Sequence, residues 1–192
     1  NNDLFPGGVP NISAVIKGKI PYDPRIGNYA WTANASLCLA DYMYSATTGL
    51  GALYGTDIEN AELIAAANVC DEVVTLASGG SEARYTCNGV VSTADKPGEI
   101  IGRLLGAMAG HAVYLNGTWR IHAGAYVAPT VTLDEGDFRG PVRMATRLSR
   151  RDAFNGVKGV YLSPDNHWQP ADFPPIASTI YMVEDNNERI WK

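Results

Sequence analysis

HAVYLNGTWRIHAG, residues 111–124, is the most readable stretch of this 192-residue chain. HAVYL and TWRIHA are short strands. Asn116-Gly117 between them readily takes the positive φ angles of a two-residue hairpin turn, so the stretch predicts an antiparallel hairpin. Upstream of it the pattern is helical, and downstream strand follows strand. That order favours an α+β fold, with short, mostly antiparallel strands and about three helices, over a regular βαβ repeat.

Working back from the hairpin, Pro97 opens a helix in which Ile100, Ile101, Leu104, Leu105 and Met108 form an apolar stripe, and Gly110 can end it in a left-handed conformation. EARYTCNGVV, residues 82–91, reads as a strand with Tyr85 and Cys87 on one side and Arg84 and Thr86 on the other. Before it, Thr56-Asp-Ile-Glu59 has the pattern of a capping box ahead of AELIAAANVC, with Ala61, Ile64 and Ala67 facing one way. A further helix begins at Asn34, a suitable N-cap, and places Leu37, Ala40 and Tyr44 on one face. Residues 14–20 read as a strand, Asp23-Pro24-Arg25 as a turn, and residues 1–13, rich in Gly, Pro and Asn, as a linker or edge segment.

Working forward, AYVAPTVTL reads as a proline-marked strand, and residues 133–137 as one helical turn. VRMATRLSR reads as a strand whose Val142, Met144, Thr146 and Leu148 alternate with Arg143, Ala145, Arg147 and Ser149. Residues 156–162 and IASTIYMV supply two more strands. In SPDNHWQP, Pro164-Asp165-Asn166 is a turn signature, Trp168 can anchor the turn on the core, and Pro170, Pro174 and Pro175 hold the following chain extended. The division that follows is a helix-rich part over 14–110 and a β-rich part over 111–192, readable as two domains or as one.

Composition narrows the function classes. A hydrophobic share of 46% with 18% charged residues argues against disorder. A chain this long buries roughly 70% of its unfolded surface when it folds as one body. No apolar run approaches the ~20 residues that cross a bilayer. A net charge of −5 offers no overall attraction to nucleic acid or to an anionic membrane. The chain opens Asn-Asn-Asp, without Met or an apolar leader, and reads as a piece of a longer protein.

Candidate chemistry is sparse. Cys38, Cys70 and Cys87 are odd in number and irregularly spaced, which suits reduced core thiols rather than zinc. His111 and His122 can approach across the hairpin, but two histidines without a third ligand are a weak metal signal, and no metal site is expected. LASGGSEAR lacks the lysine of a phosphate loop. Asp134, Glu135 and Asp137 lack the spacing of a calcium loop, and Asp71-Glu72 is an isolated pair. Three glycosylation sequons, at Asn11, Asn34 and Asn116, read as chance matches. Arg143, Arg147, Arg150 and Arg151 form the one basic cluster, either a solubilising face or a docking face for an acidic partner.

Four segments in order are more specific than any of these: IPYDPRIGNYAWTANASLCLADYMYS, AANVCDEVV, ARYTCNGVV and RLSRRDAFNGVKGVYLSPDNHWQPADFPPI. Together they resemble the tail-tip or central hub proteins of long-tailed bacteriophages, the group of the phage lambda host-specificity protein, over residues 16–176. The resemblance implies a non-enzymatic homotrimeric hub in the virion, made in the host bacterial cytoplasm. Such a hub closes the tail tube and supports host attachment and DNA delivery. It implies no cofactor, no membrane span and no specific nucleic acid. The implied partners are other copies, other tail-tip proteins and, through regions beyond this piece, a host receptor. Trp31, Arg143 and Arg147 are the residues expected to meet a subunit or partner. The alternative class is a glycan-binding or cell-wall-hydrolysing tail module. Hydrolysis would need two carboxylates roughly 5–9.5 Å apart.

Overall fold

A computed structural model describes residues 14–76, 79–146, 149, 152–186 and 190–191. The fold is α+β, with four helices and eleven short strands among the described residues. The chain divides into two compact units, Asn1–Ala128 and Pro129–Lys192.

The first unit opens with a small hairpin, β1 (Tyr22–Asp23) and β2 (Asn28–Tyr29), around the expected turn at Pro24. Residues 14–20 are not a strand. They are irregular and exposed, since no strand among the described residues offers them ladder hydrogen bonds. Helix α1 (Ala35–Tyr44) starts at Asn34, as the sequence predicts. The Asn34 Oδ1 accepts from the Leu37 amide at 3.2 Å, while its Nδ2 donates to the Ala67 carbonyl at 2.9 Å. One side chain thus caps α1 and ties it to α2 (Asn60–Cys70). Eight of the ten α1 residues are buried, which makes it the central helix, although Tyr44 points outward.

The capping box at Thr56 does not form. Asp57 turns back so that its carboxylate accepts from the Leu53 amide at 2.9 Å, and Glu59 becomes the N-cap of α2. Its buried face is Leu63, Ala66, Ala67 and Cys70, which shares Ala67 with the predicted stripe but leaves Ala61 and Ile64 outside it. After α2, β3 (Val73–Thr75) pairs with β4 (Ser81–Ala83). The strand predicted over 82–91 stops early because successive amides turn to other partners. Arg84 donates to the Glu72 carbonyl, Tyr85 to that of Cys70 and Cys87 to that of Ala33. Tyr85 and Cys87 face the core and Arg84 and Thr86 solvent, as predicted.

Helix α3 (Pro97–Ala107) buries Ile100 and Leu104, and Met108 just past its end is also buried. Ala109, rather than Gly110, takes the left-handed conformation at φ 47°. Gly110 serves a different need: a Cβ there would lie 2.4 Å from the His122 carbonyl oxygen. The predicted hairpin is present as β5 (His111–Leu115) and β6 (Thr118–His122), with φ of 53° at Asn116 and 85° at Gly117. It packs inside the first unit through Ile121, which is fully buried among the helices.

In the second unit Asp134 caps a 3-10 turn at Glu135–Asp137, matching the predicted helical turn. Residues 125–133, which run across the boundary between the units, and 142–146, the described start of the strand expected over 142–150, are irregular and exposed rather than strands. Leu148 and the remaining arginines of the basic cluster, Arg147, Arg150 and Arg151, lie outside the described residues. The strand predicted over 156–162 is broken into β7 (Gly156–Val157) and β8 (Val160–Ser163). The break falls at Gly159, where any side chain would meet the Phe173 ring at 2.8 Å. β8 pairs antiparallel with β9 (Gln169–Asp172), so SPDNHWQP is the turn of one hairpin, and Pro170 sits within its second strand. β7 lies between β10 (Ile176–Ala177), antiparallel, and β11 (Ile190–Trp191), parallel. IASTIYMV is therefore a strand only at its start. The Ser178 hydroxyl then accepts from the Tyr181 amide and caps α4 (Thr179–Asp185), which Asn186 ends at φ 55°.

Candidate functional site

In the first unit, four tyrosines from three parts of the chain converge. Tyr22 and Tyr29 are register partners in the β1–β2 hairpin, with ring centroids 5.3 Å apart. Tyr54, from the loop before α2, lies 5.1 Å from Tyr22 and 5.0 Å from Tyr44 at the end of α1. The rings are tilted by 33–59°, an edge-to-face habit rather than a stack. They line a cavity of about 400 Å³ together with Leu53, Thr56 and Asn60.

Arg25 positions one wall of this cavity. Its Nε and Nη2 bond both oxygens of Asp23, at 3.0 and 2.7 Å, while Nη1 reaches Asp71 at 2.8 Å and Asn68 at 3.2 Å. The hairpin is thereby clamped to the C-terminal end of α2, where a cation also complements the helix dipole. Hydrogen bonding from Arg25 holds the Asp23 carboxyl below the usual range, and Asp23 in turn pushes the Arg25 guanidinium up.

Two polar atoms of the lining, the Tyr54 hydroxyl and the Asn60 Oδ1, are buried without a hydrogen-bond partner. Burial, with the nearby Asp41 carboxylate adding to it, pushes the Tyr54 phenol up, so it remains a donor. The site therefore offers tyrosine ring faces, with the two unpartnered atoms lying beneath its surface. The lining residues are uncharged. Such a surface suits a neutral, hydroxyl-rich or amide-bearing ligand and carries no carboxylate pair for bond cleavage.

Of the residues singled out by sequence, Trp31 belongs to the first unit, 45% exposed, with the Lys17 ammonium 4.7 Å from its ring centre. Arg143 belongs to the second unit and is exposed, and Arg147 lies outside the described residues. Trp168 is half-buried and His167 exposed in the β8–β9 turn. All three cysteines are free. Cys70 is buried, whereas Cys38 and Cys87 are half-buried and influence each other's ionisation. The Cys38 thiol stabilises ionised Cys87, so Cys87 gives up its proton more readily than an ordinary thiol and Cys38 less readily. Sequence reasoning passed over the tyrosine cleft. Its only local signal is the pair of tyrosines flanking the Pro24 turn.

No protein-family model matches the chain. Over 107 residues it is 33% identical to Tip attachment protein J of Escherichia phage SECphi27, an alignment taking in 47% of this chain and 9% of that protein. The chain thus spans less than a tenth of the length of this relative, and the similarity is to a phage tail-tip protein at a distance.

Proposed function

We propose that this chain is a segment of a bacteriophage tail-tip protein, a structural part of the hub that closes the tail tube and supports host attachment and DNA delivery. The observation that carries the reading is the 33% identity to Tip attachment protein J. The four ordered segments quoted above support it as well. In this reading neighbouring tail proteins cover large apolar side chains left in solvent here, among them Ile16 at 78%, Val127 at 78% and Met144 at 79% exposed. In this reading the parent is a homotrimer in the virion tail tip, made in the host cytoplasm. It contacts other tail-tip proteins, reaches the receptor through other regions, and turns over no substrate. Light scattering on the parent protein tests it: a three-chain mass is expected, and a stable monomer or a six-chain ring would oppose the hub assignment.

The tyrosine cleft favours a second reading for the first unit, recognition of a neutral saccharide. Sugar rings pack on tyrosine faces, and four tyrosines line the cleft. Titrating neutral hexose and N-acetylhexosamine oligomers, followed by NMR, should shift the cleft tyrosines, and Tyr29→Ala should lose the response. Equal binding by Tyr29→Ala would end this reading without touching the first.

A further inference from the structure

His111 and His122 are register partners at the open end of the β5–β6 hairpin. Their imidazoles face each other with centroids 4.9 Å apart and planes 26° from parallel. His111 is exposed and His122 half-buried, so the shared edge reaches solvent. The backbone, rather than the two rings, fixes this geometry. Five successive cross-strand pairs run from the histidines to the Asn116-Gly117 turn, the neighbouring Ile121 is fully buried, and Gly110 packs under the His122 carbonyl.

We propose that His111 and His122 form a two-imidazole site for a divalent transition-metal ion of the zinc, nickel and copper class. Neutral imidazole is a preferred donor for these ions. Metal–nitrogen bonds of about 2.0–2.1 Å in a tetrahedral arrangement put the two donor nitrogens about 3.3 Å apart. Rings at 4.9 Å reach that spacing by side-chain rotation alone, each turning one nitrogen toward a common point. Among the described residues no cluster of three histidine, cysteine or acidic side chains could hold a metal ion. The site is therefore open, with water at the remaining positions, and weaker than a closed structural zinc site. Magnesium and calcium, which demand oxygen donors, have little to bind here. Because the register exists only in the folded hairpin, the ion acts as a clip across β5 and β6 and stabilises the fold by mass action.

Calorimetric titration of zinc chloride and nickel chloride into the 192-residue chain, in a non-coordinating buffer at neutral pH, tests this. One ion per chain is expected, with no response to magnesium. His111→Gln should weaken binding about tenfold or more. His122→Gln should do the same, while His167→Gln should bind like the parent. Cys87→Ser should also bind like the parent, which separates this site from the Cys38–Cys87 thiol pair. Equal binding by His111→Gln, loss of binding in Cys87→Ser, or no binding at millimolar zinc would each overturn the proposal. Since His111 is exposed, its variant keeps the fold and decides the matter even where His122→Gln melts early.

Discussion

Ile58 and Trp119 are parallel bridge partners. The Trp119 amide donates to the Asp57 carbonyl at 2.7 Å, and its carbonyl accepts from the Glu59 amide at 2.9 Å. Through this one bridge the loop that starts α2 is stitched to β6. The hairpin becomes a wall of the helical core rather than the first element of a later sheet.

If so, the hairpin's inward residue should matter as much as a helix core residue. Ile121→Ala should cost about 2–5 kcal/mol in urea unfolding, whereas Val113→Ala, at a position 44% exposed on β5, should stay within about 0.5 kcal/mol. Similar losses from both would detach the hairpin from the core.

Two glycines should respond in opposite directions. A Cβ at Gly49 would lie 1.7 Å from the Tyr42 carbonyl oxygen, so Gly49→Ala must displace backbone and should cost about 3 kcal/mol or more. Gly102, exposed in α3, has open space around it, and Gly102→Ala should stabilise by about 0.5–1 kcal/mol. Thermal melts decide both.

The Asp23–Arg25 pair makes stability depend on pH. A carboxylate held below its ordinary value of 3.8 contributes stability that is complete above that value. The contribution is lost as pH falls through the depressed folded value. Asp23→Asn should remove about 1.5–3 kcal/mol at neutral pH and flatten the acid limb of the stability profile. An acid limb unchanged by the substitution would show that the pair does not govern it.

At the β8–β9 turn, His167 and Trp168 both hold positive φ, 52° and 61°. His167→Gly relieves that strain at an exposed position and should raise stability by up to about 1 kcal/mol. Trp168→Ala should lower it by less than the roughly 3–5 kcal/mol of a fully buried aromatic, because Trp168 is only half-buried. A loss of stability in His167→Gly would contradict this account of the turn.

Features with local causes were legible in the sequence. Asn116-Gly117 closes a two-residue turn, Asn34 caps α1, and Pro97 starts α3, each by chemistry confined to a few neighbouring residues. The strands expected at 14–20 and 125–133, and the described part of the one expected at 142–150, do not form, since apolar alternation makes a strand only where a partner supplies the ladder, and none among the described residues does so there. In IASTIYMV alternation suggests a strand, but past Ala177 the Ser178 hydroxyl captures the Tyr181 amide and starts a helix. The tyrosine cleft was hidden because Tyr22, Tyr44 and Tyr54 meet only after Arg25 clamps the first hairpin to α2, a contact spanning 46 residues. The arginine face expected at Arg143 and Arg147 has no strand under Arg143 to present it.

The most direct test of the tail-tip assignment is immunogold electron microscopy of purified phage particles encoding this chain, using antibody raised against the full 192-residue sequence. The account predicts label at the distal end of the tail. Label on the capsid, along the tail shaft, or absent from intact particles whose proteins include the chain would contradict it.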